Sequence, residues 1–333
     1  MCALIFPRKA NWFFWIVAEL AAIMTDLAEF LGGTLGLYLL FNIPMVYAGL
    51  LTGMVTFLIV YLEKYGQRVV EWVIGFLVAI ISIAYIIELF LAKPDWVQAG
   101  LHSLIPSLPS GQAVMIAAGM LGATVMPHVI YLHSQLVQCR NGDHTFEGKK
   151  RHLRMEKWDI AIAMNIAFVV NAAMVVVSAA VFHRHGMVVE TIEQAHRSLE
   201  PLVGSLSSGA FGIALLASGF SSSAVGTMAG QTIMKGFVNL QIPVNLRRLI
   251  TMAPAMLIIA TGVNPMKALI FSQVTLSFAL PLAIIPMIII TNRRDYMGSF
   301  VNKPLTRTFG WLIAGIILSM NAVLLYLTFT GKV

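Results

Sequence analysis

The chain has 333 residues, of which 58% are hydrophobic and 11% charged, with a mean hydropathy of +0.83 and a formal net charge of +7. A soluble domain averages about 25% charged residues, so the composition excludes an ordinary soluble enzyme and leaves an all-α polytopic membrane protein whose main surroundings are the lipid bilayer. The positive charge sits in loops between apolar runs and needs no nucleic-acid partner.

Apolar runs of roughly 20 residues, long enough to cross a bilayer, predict nine spans, at about 11–36, 42–62, 70–92, 112–136, 158–182, 207–234, 245–264, 267–291 and 309–331. The first run begins soon after Met1 and others follow directly, unlike a cleaved signal peptide. That first run carries Glu19, Asp26 and Glu29. Their spacings of seven and three put them on one side of a helix, within about 80°. Intramembrane carboxylates usually face a polar cavity or a proton path, so a proton relay is weighed here against simple bonding to neighbouring helices. Gly32-x-x-x-Gly36 reads as a close-packing seam. Glu88, near the end of the third span, reads as structural, as do Glu63, Glu71 and Asp159 at helix ends.

The fourth run contains Met126-Pro127-His128. Proline in a helix interior removes one backbone hydrogen bond and clashes with the carbonyl four residues earlier, here that of Ala123. In hydrocarbon a freed carbonyl needs a new partner. On a helix, Ala123 and Met126 project to similar sides, so the break is expected to present one hard and one soft ligand at mid-membrane depth, the construction of a transporter site. His128 and His133 follow the break; histidine titrates near neutral pH and suits a relay or a ligand. Five residues apart, they face different ways and are not expected to hold one ion together.

The segment 140–157 is basic and reads as a loop touching anionic headgroups. Ser221 to Thr227 reads as close helix packing. Asn171, Gln231 and Gln273 read first as interhelical hydrogen-bonding residues, with Gln273 the best ligand candidate of the three. Arg247 and Arg248 open the seventh run, where snorkelling to headgroups competes with pairing to the Glu19 end of the acidic face. Of the 22 Lys and Arg residues, 17 fall in the alternating set of loops that includes the N-terminus and 5 in the opposite set. The positive-inside rule then makes the N-terminus cytoplasmic and the C-terminus external. Cys2 and Cys139 fall on the reducing side and are assigned no role.

The segments Ala22–Phe30 (AIMTDLAEF), Gly122–Ser134 (GATVMPHVIYLHS), Gly226–Gln231 (GTMAGQ) and Ser272–Phe278 (SQVTLSF) resemble the natural resistance-associated macrophage protein (Nramp) family, and among its branches the bacterial proton-linked manganese transporters. The resemblance implies a LeuT-like inverted-repeat fold and symport of Mn²⁺ or Fe²⁺ with protons across the bacterial inner membrane, with no enzyme activity and no cofactor. It implies metal ligands at Met126 (thioether), Ala123 (carbonyl) and Gln273, and a proton pathway through Asp26, Glu29, Glu19, His128, His133, Arg247 and Arg248. The family's first helix carries a metal-binding Asp-Pro-Gly-Asn segment that has no match here. The nine spans therefore correspond to the family's helices three to eleven. Within a single transmembrane domain, 1–333, residues 11–92 are expected to be the remnant of a first repeat, 112–291 a complete second repeat of five helices, and 309–331 an extra C-terminal helix. A chain without that carboxylate is expected to transport poorly. Competing readings are a LeuT-like symporter of an organic substrate such as an amino acid, a non-transporting remnant, and a membrane enzyme using the two histidines; the sequence has no HExxH, GxSxG or Gly-rich nucleotide loop to support the last.

Overall fold

The structure is a computed structural model and describes residues 5–62, 67–105, 107–108, 110–140, 145–239 and 242–330. Cys2, Glu63, Lys64 and Lys332 lie outside the described residues, as do the side chains of Arg68, Cys139 and Arg140. The elements are helices, in order α1 (Arg8–Phe41), α2 (Met45–Tyr61), α3 (Gln67–Ala92), α4 (Trp96–Leu104), α5 (Gly111–Thr124), α6 (Pro127–Arg140), α7 (Phe146–Val181), α8 (Ile192–Val203), α9 (Ser205–Val238), α10 (Val244–Thr261), α11 (Pro265–Thr291), the single turn α12 (Arg294–Met297) and α13 (Pro304–Phe329).

Each of the nine apolar runs falls on helix, the fourth on two. Among the described residues, seven helical stretches are long and apolar enough to cross a membrane: Val69–Ala92, Gly111–Gln138, Phe146–His185, Ser205–Val238, Val244–Thr261, Pro265–Thr291 and Pro304–Phe329. The apolar part of α2, Met45–Ile59, is shorter. α1 has 34 residues, about 51 Å at the helical rise, and its three carboxylates lie in its middle turns.

α1 is the central post, buried almost continuously from Thr25 to Gly36. Glycine lets its backbone meet that of α9. A side-chain carbon on Gly36 would lie 2.7 Å from the Leu216 backbone, and one on Gly219 would lie 2.8 Å from the Glu29 carbonyl. Without a hydrophobic drive between helices in lipid, such small-residue seams supply the packing. On another side, Leu27, Phe30 and Leu31 pack against Met252, Ala255 and Ile259 of α10. α11 packs on α13 through Leu280, Ile284 and Ile288 against Ala314 and Ile317. α11 and α13 are also pinned by a buried polar clasp: Ser277 Oγ donates to Asn321 Oδ1 at 2.7 Å, and Asn321 Nδ2 donates to the Ser277 carbonyl at 2.8 Å.

The helix ends sort into two groups. At one end, Asn11 Nδ2 donates to the Phe237 carbonyl at 2.9 Å, and the Phe146 and Phe300 rings lie 5.4 Å apart; the basic loops cluster here, and we call it the basic end. At the other, α8 is capped by Thr191, whose hydroxyl accepts from the Gln194 N–H, and seats Leu199 on Val177 and Val181 of α7. Asn171 is exposed on α7 rather than lodged between helices.

Candidate functional site

The fourth apolar run is broken where proline demands it. α5 ends at Thr124, Val125 is extended (φ −116°, ψ 91°), and Pro127 opens α6, the position where its missing N–H costs nothing. The residue before a proline is pushed away from helical backbone, which takes Met126 out of the helix as well. The flanking backbone bonds run from the Val125 N–H to the Leu121 carbonyl (3.0 Å) and from the Val129 N–H to the Met126 carbonyl (3.2 Å); neither uses the Ala123 carbonyl. The expected helical i, i+3 relation between Ala123 and Met126 does not hold, because the helix has ended between them.

Met126 is half-buried and lines a cavity of about 790 Å³ together with Thr124, Val125, His133, Thr232 and Met287. The cavity runs along α6, α9 and α11 to Gln138, Phe237 and Thr291, the last turns of those helices at the basic end. Among the described residues, no carboxylate lines it. Ala123 is exposed on α5. Its neighbour Gly122 lies against the Gln273 carbonyl, and a side-chain carbon there would come 2.7 Å from the Ser277 N–H, so the freed-carbonyl turn and Gln273 are held side by side. The Gln273 Nε2 donates to Ser272 Oγ at 3.3 Å, and its Oε1 has no partner.

The acidic face of α1 lies behind this break. His128 is fully buried (0% exposed) and its Nδ1 is 3.3 Å from Thr25 Oγ1. The Thr25 hydroxyl also donates to the Ala21 carbonyl at 3.0 Å, and the other ring nitrogen, Nε2, has no hydrogen-bond partner. Asp26, next to Thr25, and Glu29 are both buried and both meet Gly226 of α9, and Asp26 Oδ1 and Glu29 Oε2 have no hydrogen-bond partner. Arg248 stands beside them, 1% exposed. Its guanidinium donates to the Ser223 carbonyl (2.8 Å), to Thr227 Oγ1 (2.5 Å) and to Ser223 Oγ, and it lies 5.9 Å from the centre of the Phe57 ring. Two turns nearer the basic end along α1, Arg247 Nη2 pairs with Glu19 Oε1 at 2.7 Å, with side chains 3% and 20% exposed. The line Glu29, Asp26, Glu19 thus alternates with two arginines from mid-helix towards the basic end.

The structure therefore gathers Asp26, Glu29, Glu19, Arg247 and Arg248 into one buried polar string, sets His128 against Thr25 beside it, and leaves His133 apart on the cavity wall. Neither arginine snorkels. Ser223 and Thr227, read from sequence as packing residues, hold Arg248; nothing in their small-residue pattern distinguishes a ligand from a spacer. Gly226 packs closely as expected, but against carboxylates.

The profile of the natural resistance-associated macrophage protein-like (Nramp) family matches residues 1–327. The chain belongs to the Nramp family. It is 65% identical over 333 residues to the divalent metal cation transporter MntH of Caldanaerobacter subterraneus subsp. tengcongensis, covering all of this chain and 79% of that protein. It is 69% identical over 332 residues to the MntH of Clostridium acetobutylicum, covering 77% of that one. Among solved structures it is similar to the Eremococcus coleocola manganese transporter bound to an aromatic bis-isothiourea-substituted compound, with a TM-score of 0.80 and 31% identity over 96% of this chain and 72% of the other. These Nramp relatives are transporters rather than enzymes, and metal is what they carry. The fold of this Nramp chain is accordingly the family's LeuT-like one, with the broken α5–α6 pair and the α1–α9 seam at its centre.

Proposed function

We propose that this chain carries divalent transition-metal ions, Mn²⁺ and Fe²⁺, into the cytoplasm in symport with protons. The observation that carries the reading is the break at Val125–Met126, which turns a thioether onto a cavity leading to the basic end while its next residue but one, His128, bonds to Thr25, the residue before Asp26. A thioether donor suits Mn²⁺ and Fe²⁺ better than Ca²⁺ or Mg²⁺, which want cages of oxygen. In this reading Met126, the Ala123 carbonyl and Gln273 are metal ligands, and the proton leaves by way of His128, Glu29, Asp26 and Glu19, with Arg248 and Arg247 holding the carboxylates in line; His133 serves the exit cavity. By the positive-inside rule the basic end is cytoplasmic, in a bacterial inner membrane, with the C-terminus external.

The repeat assignment is part of the same proposal. α1 and α9 each have 34 residues, and each ends on an asparagine in left-handed backbone, Asn42 at φ 53° and Asn239 at φ 54°. We read them as symmetry mates, with 11–92 in one repeat, 112–291 the other, and 309–331 outside both. The donors these residues bring to the break include no carboxylate, and a divalent ion shedding water needs an anionic ligand. Residues 1–333 expressed alone should therefore move metal weakly.

Uptake of Mn²⁺ into proteoliposomes with and without an inward proton gradient tests the reading. Uptake, however small, should rise with the gradient and fall on Met126→Ala. Gradient-independent uptake, or accumulation of an amino acid instead of metal, would overturn it.

A further inference from the structure

A second cavity, of about 640 Å³, lies at the end opposite the basic loops and shares no lining residue with the first. Glu88 of α3 lines it while being 2% exposed, and its Oε1 has no hydrogen-bond partner. No lysine or arginine lines this cavity among the described residues. Its wall is mostly apolar, with the hydroxyl residues Tyr85 and Ser178, and carries five soft donors: the thioethers of Met120, Met174, Met187 and Met266, and the imidazole of His183. Met120 is on α5, three residues before Ala123, so the wall of this cavity leads along one helix to the break.

We propose that this cavity is a second binding site for a soft or borderline divalent cation, with Glu88 as its anionic ligand and methionine sulfur and His183 completing the shell. A carboxylate enclosed in an apolar wall is costly unless protonated, paired or bound to metal, and among the described residues no lysine or arginine faces this one to pair with it. Thioether and imidazole donors select transition ions over Ca²⁺ and Mg²⁺. The volume leaves room for an ion that keeps several of its waters, each about 30 Å³. The inference deepens the transport reading, on which it rests for the nature of the cation: an ion would dwell here before or after passing Met126.

The test is equilibrium binding of radioactive Cd²⁺ to the purified full chain in detergent, with Ca²⁺ as competitor. In Met126→Ala, which removes the central thioether, Cd²⁺ binding should persist, and adding Glu88→Gln should weaken it at least about tenfold, the scale seen when a metal site loses a supporting group. Met174→Leu with Met187→Leu, near-isosteric changes that spare the fold, should weaken it as well and guards against a Glu88 variant that misfolds. If Met126→Ala alone removes all Cd²⁺ binding, the second site does not exist and the transport reading stands. If Glu88→Gln removes all binding and Met126→Ala none, the second site stands and the central one fails. Binding that Ca²⁺ competes away at equal concentration contradicts the soft-ligand assignment.

Discussion

Arg248 gives the account its sharpest mechanical prediction. It is 1% exposed, donates three hydrogen bonds to Ser223 and Thr227, and stands next to two buried carboxylates, Asp26 and Glu29. Each hydrogen bond to a charged group contributes about 1.5–3 kcal/mol. Thr227 also donates to the Ser223 carbonyl at 3.1 Å, so the α9 groups re-pair within their own helix when the guanidinium goes. The dominant cost of Arg248→Met is then the loss of the cation beside the carboxylates, with an upper bound of the about 3–5 kcal/mol that breaking a buried ion pair from one side costs. Arg248→Lys keeps the charge but loses the planar fork that reaches both Ser223 and Thr227, and should cost about half as much. Reversible unfolding in mixed detergent micelles measures both. A Met variant within about 1 kcal/mol of the parent, or a Lys variant as unstable as the Met one, would refute the claim that this guanidinium holds the acidic string together.

Replacing the central thioether, Met126→Ala, should relax discrimination against Ca²⁺ in uptake competition while leaving folding nearly unchanged, since Met126 is only half-buried; unchanged selectivity would remove the thioether from the site. Gly122→Ala should disturb the break, because the added carbon meets the Gln273 carbonyl and the Ser277 N–H of α11 and overpacking of this kind costs about 1–3 kcal/mol; the readout is loss of Mn²⁺ uptake without loss of expression. At the opposite end, the His196 ring lies 3.1 Å from Ser208 Oγ, and burial pushes its pKa below the ordinary value, which is about 6.5. A histidine that resists protonation when folded contributes its full stability above that ordinary value and loses it as pH falls below. Protection of α8 amides from hydrogen exchange should therefore drop between neutral and mildly acidic pH in the parent, and drop less in His196→Gln.

Much of this was legible in the residues. The nine runs foretold nine helical positions, the Pro127 break was located to within two residues, and the pairing of Arg247 with Glu19 was one of two arrangements that the charge pattern allowed. Other features were not. Pro254, Pro281 and Pro286 lie inside α10 and α11 without ending them, although Ile284-Ile285 precede Pro286 much as Val125-Met126 precede Pro127. The residues around these prolines do not distinguish a tolerated one from a break, because what the helix meets on its neighbours is not written in its own local sequence. Ser223 and Thr227 were hidden for the same reason: a hydroxyl one turn apart on a glycine-rich helix packs or binds according to what faces it. The Ser277–Asn321 clasp joins residues 44 apart on different helices, beyond any local pattern. His128 and His133 looked alike in sequence, and only the position of Thr25 made one an internal partner and the other a cavity wall.

The central claim is that Met126 faces the ion from a cavity reaching the basic end. Met126→Cys, in a chain with Cys2 and Cys139 changed to serine, tests it directly through labelling by a membrane-impermeant thiol reagent. Labelling is expected from the side that carries the basic loops, slowed by Cd²⁺ and not by Ca²⁺. A cysteine that no reagent reaches from that side, or whose labelling ignores Cd²⁺, would contradict it.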